Sequence, residues 1–391
     1  MKRMPTDLSP PRKNPPAVNL AEWRALFPIT RKLVHLNHAG VSPVSTRVTG
    51  AMERFLHLSS HTGTLHYDQM EAQAEQAREK FARLIGAEVG EIAFVKNTSE
   101  GLARIANGLP LVKGDRIVTT NLEYPSNVYP WWHLGRRGVV TLMVKHDDGR
   151  IRIEDIEKAL EPPTRLLAIS SVEFGNGLAN DLETLGRMCK ERGVWFCVDA
   201  IQSIGVMELD VNRCGIDFLA ADGHKWLLAT EGVGGMFVSR RVMADVDPVN
   251  VGWKSVVNRG DYFTYELRFP DSALKFEEGS LNLCSLWGFD AALGLILEVG
   301  VPVIQRRVIM LLDRMIAGLS EKGYPITSPI GPGERSGILT FRPRDGADAH
   351  GLVRGLRAAG FITVERAGAI RVSPHFYNSE EEIDRFLKEL S

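Results

Sequence analysis

Lys225, in the run Ala221-Asp222-Gly223-His224-Lys225-Trp226, is the residue best placed to do covalent chemistry. It follows Phe218-Leu219-Ala220, which reads as a buried strand, and precedes Trp226-Leu227-Leu228. A lysine flanked this way is poorly solvated. Desolvation lowers an amine's pKa, and attack on a carbonyl requires the neutral amine. A surface lysine on a loop is the plain alternative, and the apolar flanks argue against it. A second run, Asn97-Thr98-Ser99-Glu100-Gly101, follows another strand and opens a helix at Leu102 and Ile105. Hydroxyls and free amides at a helix N-terminus suit an anion such as phosphate, although the same residues also make an ordinary cap.

The third run is Val198-Asp199-Ala200-Ile201-Gln202. Asp199 ends an apolar strand, where a carboxylate is costly unless it meets a cation. A protonated pyridine nitrogen is such a cation, and the pair would make the ring a better electron sink. A strand-end aspartate that merely caps a loop is the alternative. A fourth run, Glu278-Gly279-Ser280, carries little by itself. Gly232-Val233-Gly234-Gly235 is glycine-rich but precedes a strand, so it reads as a tight turn and not as a nucleotide-binding loop.

The elements that must hold these residues alternate in type. Strand-like apolar runs fall at 92–96, 116–120, 139–144, 166–172, 194–199, 218–221 and 235–239. Near-continuous apolar runs suit strands covered on both faces, and ligands bind beyond the C-terminal ends of such a sheet. Met70, Ala74, Ala77, Phe81 and Leu84 form one helical stripe, which Gly86 is placed to end. Asn180 with Glu183 has capping-box spacing, with Gly193 as the stop. After about Ala273 the texture changes. A long periodic stretch over 286–319 could bridge two lobes, followed by strands near 337–341 and 370–373, a helix at 350–359, and a last helix opened by Ser379 and Glu382. The pattern predicts an α/β fold with a smaller α+β C-terminal lobe.

Composition narrows the class. The chain has 391 residues, too many for one small core. A net charge of −1 gives no global pull toward nucleic acid or an anionic membrane. No apolar run is long enough to span a bilayer. The basic, proline-rich residues 1–16 lack the apolar core of a signal peptide and read as an arm. Cys189, Cys197, Cys214 and Cys284 show no metal-ligand or C-x-x-C spacing, so no metal is expected. Buried thiols in a reducing compartment are the default, which points to the cytoplasm.

In this order the motifs resemble the class V aminotransferase family of pyridoxal 5′-phosphate (PLP) enzymes, which includes cysteine desulfurases, isopenicillin N epimerase-like proteins and C–S lyases. The resemblance runs from about Leu33 to the end. It rests on Leu36-Asn37-His38-Ala39-Gly40, Asn97-Thr98-Ser99-Glu100, Glu123-Tyr124-Pro125-Ser126-Asn127, Val198-Asp199-Ala200-Ile201-Gln202, Gly223-His224-Lys225, Glu278-Gly279-Ser280 and Ile370-Arg371-Val372-Ser373. It implies PLP fold type I: a seven-stranded, mostly parallel sheet in a large domain (residues 32–290), a small domain (291–391), and an arm (1–31) packing with the small domain. It implies that Lys225 is the Schiff-base lysine and proton shuttle, and that Asp199 partners the pyridine nitrogen. Gln202 then meets the ring oxygen, Tyr124 stacks on the ring, and Thr98, Ser99 and His224 bind phosphate. Ser280 would bind the same phosphate from the neighbouring subunit of a homodimer. Arg371 would grip the substrate α-carboxylate, with Asn37 and His38 lining the substrate side.

Three departures qualify the resemblance. Asp222 stands where many members carry a phosphate-binding serine, so it is expected to turn to a backbone amide or to His224. Phe174 stands about where desulfurases carry an asparagine, leaving Gln202 more of the task. The desulfurases also place a catalytic cysteine on a loop before the arginine, whereas Glu365-Arg366-Ala367-Gly368-Ala369-Ile370 runs straight into Arg371 with no cysteine. Amino-group transfer on an α-amino acid is therefore the first expectation. A C–S lyase or epimerase is the second. A non-catalytic PLP-fold module is a third, opposed by the intact set Lys225, Asp199, Gln202 and Arg371. Substrate choice is expected to fall to Trp253, Lys254, Tyr262 and Arg366.

Overall fold

The computed structural model describes residues 19–390. The expected arm therefore lies mostly outside the described residues. Twelve strands occur in chain order: β1 (Val34–His35), β2 (Ile92–Val95), β3 (Arg116–Thr120), β4 (Val140–Val144), β5 (Thr164–Ser170), β6 (Trp195–Asp199), β7 (Phe218–Asp222), β8 (Gly234–Val238), β9 (Leu339–Phe341), β10 (Phe361–Ile362), β11 (Val364–Arg366) and β12 (Ala369–Val372). Strands β2 to β8 form one seven-stranded sheet in the order β2-β8-β7-β6-β5-β3-β4. All pairs are parallel except the two that β8 makes, with β2 and β7. Each of the seven apolar runs forms its expected strand; the inner strands are covered on both faces, whereas the edge strand β4 leaves Val140 and Leu142 exposed. On β6, Phe196 and Val198 pack with Phe81 and Leu185 on one face. Cys197, between them, packs with Leu102 and Ile105 on the other, as the two-residue strand period requires.

The helices follow their terminal chemistry. The helix Tyr67–Ile85 ends at Gly86 in the left-handed conformation (φ 70°), and Ser379 and Glu382 form the expected reciprocal cap before Glu380–Glu389. The predicted Asn180 cap is displaced by one residue. Asp181 caps Leu182–Arg192 by accepting from Thr184 N. The Asn180 amide instead donates to Ser170 O at 2.8 Å and Glu173 Oε1 at 2.9 Å, because those buried acceptors need it more. The periodic stretch over 286–319 forms two helices, Leu283–Val299 and Val301–Glu321. Gly300 (φ 85°) breaks it, and Pro302 starts the second helix.

The C-terminal lobe carries the antiparallel sheet β11-β12-β9. The N-terminal segment is stitched to this lobe. β1 pairs with β10, Asn37 bridges to Ser373, and Phe27, Val34 and Leu36 share a core with Phe341, Tyr377 and Phe386. This stitching brings Asn37 to the end of β12. Among the described residues no helix is long and apolar enough to cross a membrane, and no cluster of His, Cys, Asp and Glu could hold a metal.

Candidate active site

A cavity of about 390 Å³ opens beyond the C-terminal ends of β2, β6 and β7. It is lined by Thr98, Ser99, Tyr124, Asp199, Gln202, His224, Lys225 and Arg371, eight of the residues that the resemblance assigns to one site. Lys225 lies in the turn after β7. Its carbonyl accepts from Leu228 N at 3.0 Å and Ser42 Oγ at 2.6 Å, which fixes the backbone below the amine. Leu228 is fully buried with φ 60°, a conformation that costs energy for a bulky residue and persists only where packing enforces it. Burial lowers the Lys225 pKa to about 8; Asp199 opposes the shift and Arg371 adds to it. Its Nζ has no hydrogen-bond partner among the described residues and lies 5.7 Å from the Tyr124 ring centroid.

Asp199, at the end of β6, is 2% exposed and accepts from Ile201 N at 3.0 Å through Oδ1. Burial raises its pKa to about 6, with the Ile201 amide and Lys225 pulling the other way. It is therefore largely ionised at neutral pH. Gln202 is held by two bonds: Nε2 donates to Ala39 O at 3.1 Å, and Oε1 accepts from Trp226 Nε1 at 3.0 Å. One amide hydrogen stays available.

The helix Thr98–Gly108 starts beside β7, where Asp222 N donates to Thr98 Oγ1 at 3.0 Å. Asn97 caps the Glu100 amide, which leaves the Thr98 and Ser99 amides without an acceptor among the described residues. Ser99 Oγ lies 2.7 Å from Ser126 Oγ, a cavity residue that the motif Tyr124-Pro125-Ser126 contained but did not single out. Asp222 Oδ1 lies 3.0 Å from His224 Nδ1, close enough for an ion pair were the ring protonated, but neither atom has a hydrogen-bond partner among the described residues.

Arg371, on β12, is 1% exposed. Its Nη1 donates to Phe174 O at 2.8 Å, its Nη2 lies 3.4 Å from Asn37 Oδ1, and Nε has no partner. Asn37 reaches it because residue 40 is glycine; a Cβ there would lie 2.6 Å from the Asn37 amide. Burial and the Arg366 charge push the Arg371 pKa down to about 9, so the cation persists at neutral pH but lacks an anion. A buried, underpartnered guanidinium fork is a carboxylate site.

Asn37, His38, Ser280, Trp253, Lys254 and Tyr262 do not line this cavity, although Asn37 reaches Arg371. His38 is fully buried, with Nδ1 2.8 Å from Ser373 O and Nε2 2.7 Å from the Tyr377 hydroxyl. Both nitrogens being engaged, it does not line the cavity. Ser280 lines a separate pocket with Lys96, Glu100 and Arg104. Of the four positions expected to select substrate, only Arg366 lines the cavity. Trp253 packs edge-on to Tyr262, and Lys254 pairs with Glu71.

An underpartnered amine, a phosphate-type anion site and a buried carboxylate on different sides of one cavity fit PLP's aldehyde, phosphate and pyridine nitrogen. Comparison with known proteins agrees. The chain is 33% identical to a probable cysteine desulfurase of Methanothermobacter thermautotrophicus, covering 91% of this chain and 94% of that protein. It is 28% identical to isopenicillin N epimerase of Streptomyces clavuligerus, over 94% and 97% of the two chains. The structure matches the apo cysteine desulfurase of Thermococcus onnurineus NA1 with a TM-score of 0.85 at 27% identity, covering 94% of this chain and 96% of that one. A profile of the aminotransferase class-V family matches residues 34–386, nearly the whole length, and the chain belongs to that family of PLP-dependent enzymes.

Proposed function

We propose that this enzyme cleaves the C–S bond of a cysteine-type α-amino acid, with sulfur leaving directly and not through a protein thiol. The observation that carries the second half is the lining of the cavity, which includes no cysteine. Cys189, Cys197 and Cys214 are buried. Burial pushes all three thiols up, the opposite of what a nucleophilic cysteine needs. Cys284 is half-buried in the first turn of Leu283–Val299 and its thiol is also raised. Relatives named as cysteine desulfurases favour sulfur chemistry over the amino-group transfer expected first from the sequence. The net change for cysteine is addition of water and release of sulfide, pyruvate and ammonium.

PLP, when bound, supplies an electron sink for the pair left at the substrate Cα. Thr98 and Ser99, through their free amides and hydroxyls, would hold its phosphate with His224, which lies beside Asp222. Tyr124 would cover the ring, and the free Gln202 amide hydrogen would serve its phenolic oxygen. Asp199 keeps a proton on the ring nitrogen. Lys225 Nζ holds the resting cofactor; at pH 7 a pKa near 8 leaves about a tenth of the free amine neutral. The same Nζ, when free, would be placed to take the Cα proton. Arg371 holds the α-carboxylate and thereby sets which Cα bond faces Lys225.

The test is to replace all four cysteines with serine or alanine and assay cysteine and cystine. Sulfur release with pyruvate should persist in the cysteine-free enzyme. Persulfide on the wild-type protein, lost together with activity on a single cysteine replacement, would overturn the reading. An oxo-acid retaining the sulfur would restore transamination.

A further inference from the structure

Behind the active-site wall lies a second cavity of about 830 Å³, roughly twice the volume of the first. The two share Phe174 and Arg366, so these side chains form the partition. Phe174 also ties the partition to the carboxylate site, since its carbonyl accepts from Arg371 Nη1. A substrate whose α-carboxylate sits on Arg371 would therefore lie beside the residues that the two cavities share, with the second cavity as the nearest space for a long substituent.

The second cavity carries its own polar equipment. Glu173 lines it, is 1% exposed, and has Oε2 without a partner while Oε1 accepts from the Asn180 amide. Burial, followed by the charge of Glu123, holds this carboxyl well above the usual carboxylate range. Its Oε2 is left with hydrogen-bonding capacity unused. A ligand polar group placed there would pair this buried oxygen and recover the cost of leaving it unsatisfied. Arg342 and Arg366 also line the cavity, and neither is paired with a carboxylate among the described residues. Arg150 is different, being held bidentately by Glu334. Free cysteine has nothing to offer these groups. A cavity of this size falls in the range that encloses a drug-sized ligand, about 300–1,000 Å³.

We infer that the second cavity receives the sulfur-borne leaving group of the substrate, and that this group is an extended thiol bearing carboxylates and amide or amine donors. The inference rests on the C–S cleavage reading above and names the substrate class for that site. The carboxylates meet Arg342 and Arg366, and the donors or carbonyls meet Glu173. For a mixed disulfide, RS–S–CH2–CH(NH3+)–COO− plus water gives RS–SH, pyruvate and ammonium. The C–S bond breaks, its electron pair and a proton go to the departing persulfide, and no oxidant or reductant is consumed.

The probe is the mixed disulfide of cysteine and glutathione, compared with free cysteine on the cofactor-loaded enzyme. Pyruvate formation from the mixed disulfide should have a kcat/KM at least tenfold above that for cysteine. Ile330→Trp, a half-exposed cavity position away from Lys225, should remove that advantage by filling the cavity, and Arg342→Ala should reduce it several-fold. Cysteine turnover should be unchanged in both. Calorimetry should show that reduced glutathione binds the wild type and binds Ile330→Trp at least tenfold more weakly. Cysteine preferred over the mixed disulfide, or variants that leave the mixed disulfide unaffected or slow both substrates equally, would overturn the inference alone. No pyruvate from either substrate would overturn the cleavage reading and the inference together.

Discussion

Replacing Arg371 with alanine removes a buried cation that has two apparent tasks, and the two are separable. The first is to hold the substrate carboxylate. Nη1 is already committed to Phe174 O, while Nε is buried and unpartnered and Nη2 makes only a 3.4 Å contact to Asn37. A charge-assisted hydrogen bond contributes about 1.5–3 kcal/mol. At ~1.4 kcal/mol per tenfold, its loss should raise KM roughly 10- to 150-fold. The second task is electrostatic. Arg371 is one of the charges holding the Lys225 pKa down, near 8. Without it the ammonium is favoured, so the pKa rises and less neutral amine is present at pH 7. The assay is the rate of PLP uptake by cofactor-stripped protein as a function of pH, read by absorbance, because only neutral Lys225 attacks the aldehyde. Wild-type uptake should rise through about pH 8, and Arg371→Ala should rise at higher pH. Arg371→Lys keeps the charge but not the fork. It should therefore raise KM with little movement of the uptake midpoint. An alanine variant with KM within twofold of wild type, or one that fails to retain PLP while binding substrate normally, would show that Arg371 is misassigned.

Lys225→Ala should fold but form no covalent bond to PLP; borohydride reduction and peptide mapping of the wild type should find the cofactor on Lys225, and any other lysine would sink the assignment. Asp199→Asn should still take up PLP but slow turnover by about 10²–10³, as when one preorganised electrostatic stabiliser is lost; near-normal turnover with full occupancy would contradict the role. The protein should form a homodimer. Phe263, Tyr265 and Leu267 are 92%, 95% and 74% exposed, more apolar surface than a monomer usually leaves in one loop, and Ser280 lies outside its own chain's cavity. Light scattering should give twice the 43.4 kDa chain mass, and an active monomer would exclude the expected role of Ser280.

Much of the framework is written in local pattern. The inner sheet strands were legible because strands buried on both faces must be apolar almost throughout, while the edge strand β4 showed through its β-branched run although one face is exposed. Gly86 and the Ser379–Glu382 pair marked helix ends because caps satisfy backbone groups within a few residues. Lys225, Asp199 and the 97–100 run stood out because polar residues at the ends of apolar strands need a reason to be there. Errors arose where a distant partner changed a local preference. Asn180 left its predicted cap for Glu173, and His38 turned inward to Ser373 and Tyr377. Gly300 divided one periodic stretch into two helices. Convergence itself belongs to the tertiary structure. Asn37 meets Arg371 across 334 residues only because the N-terminal segment pairs with the C-terminal lobe. Glu173 carries no sequence signal of its own, since an acidic residue beside Phe174 reads as loop surface until packing buries it against the second cavity. Periodicity and capping are short-range and appear in the chain, whereas burial of a charge and the space left beside it depend on which distant elements close over it.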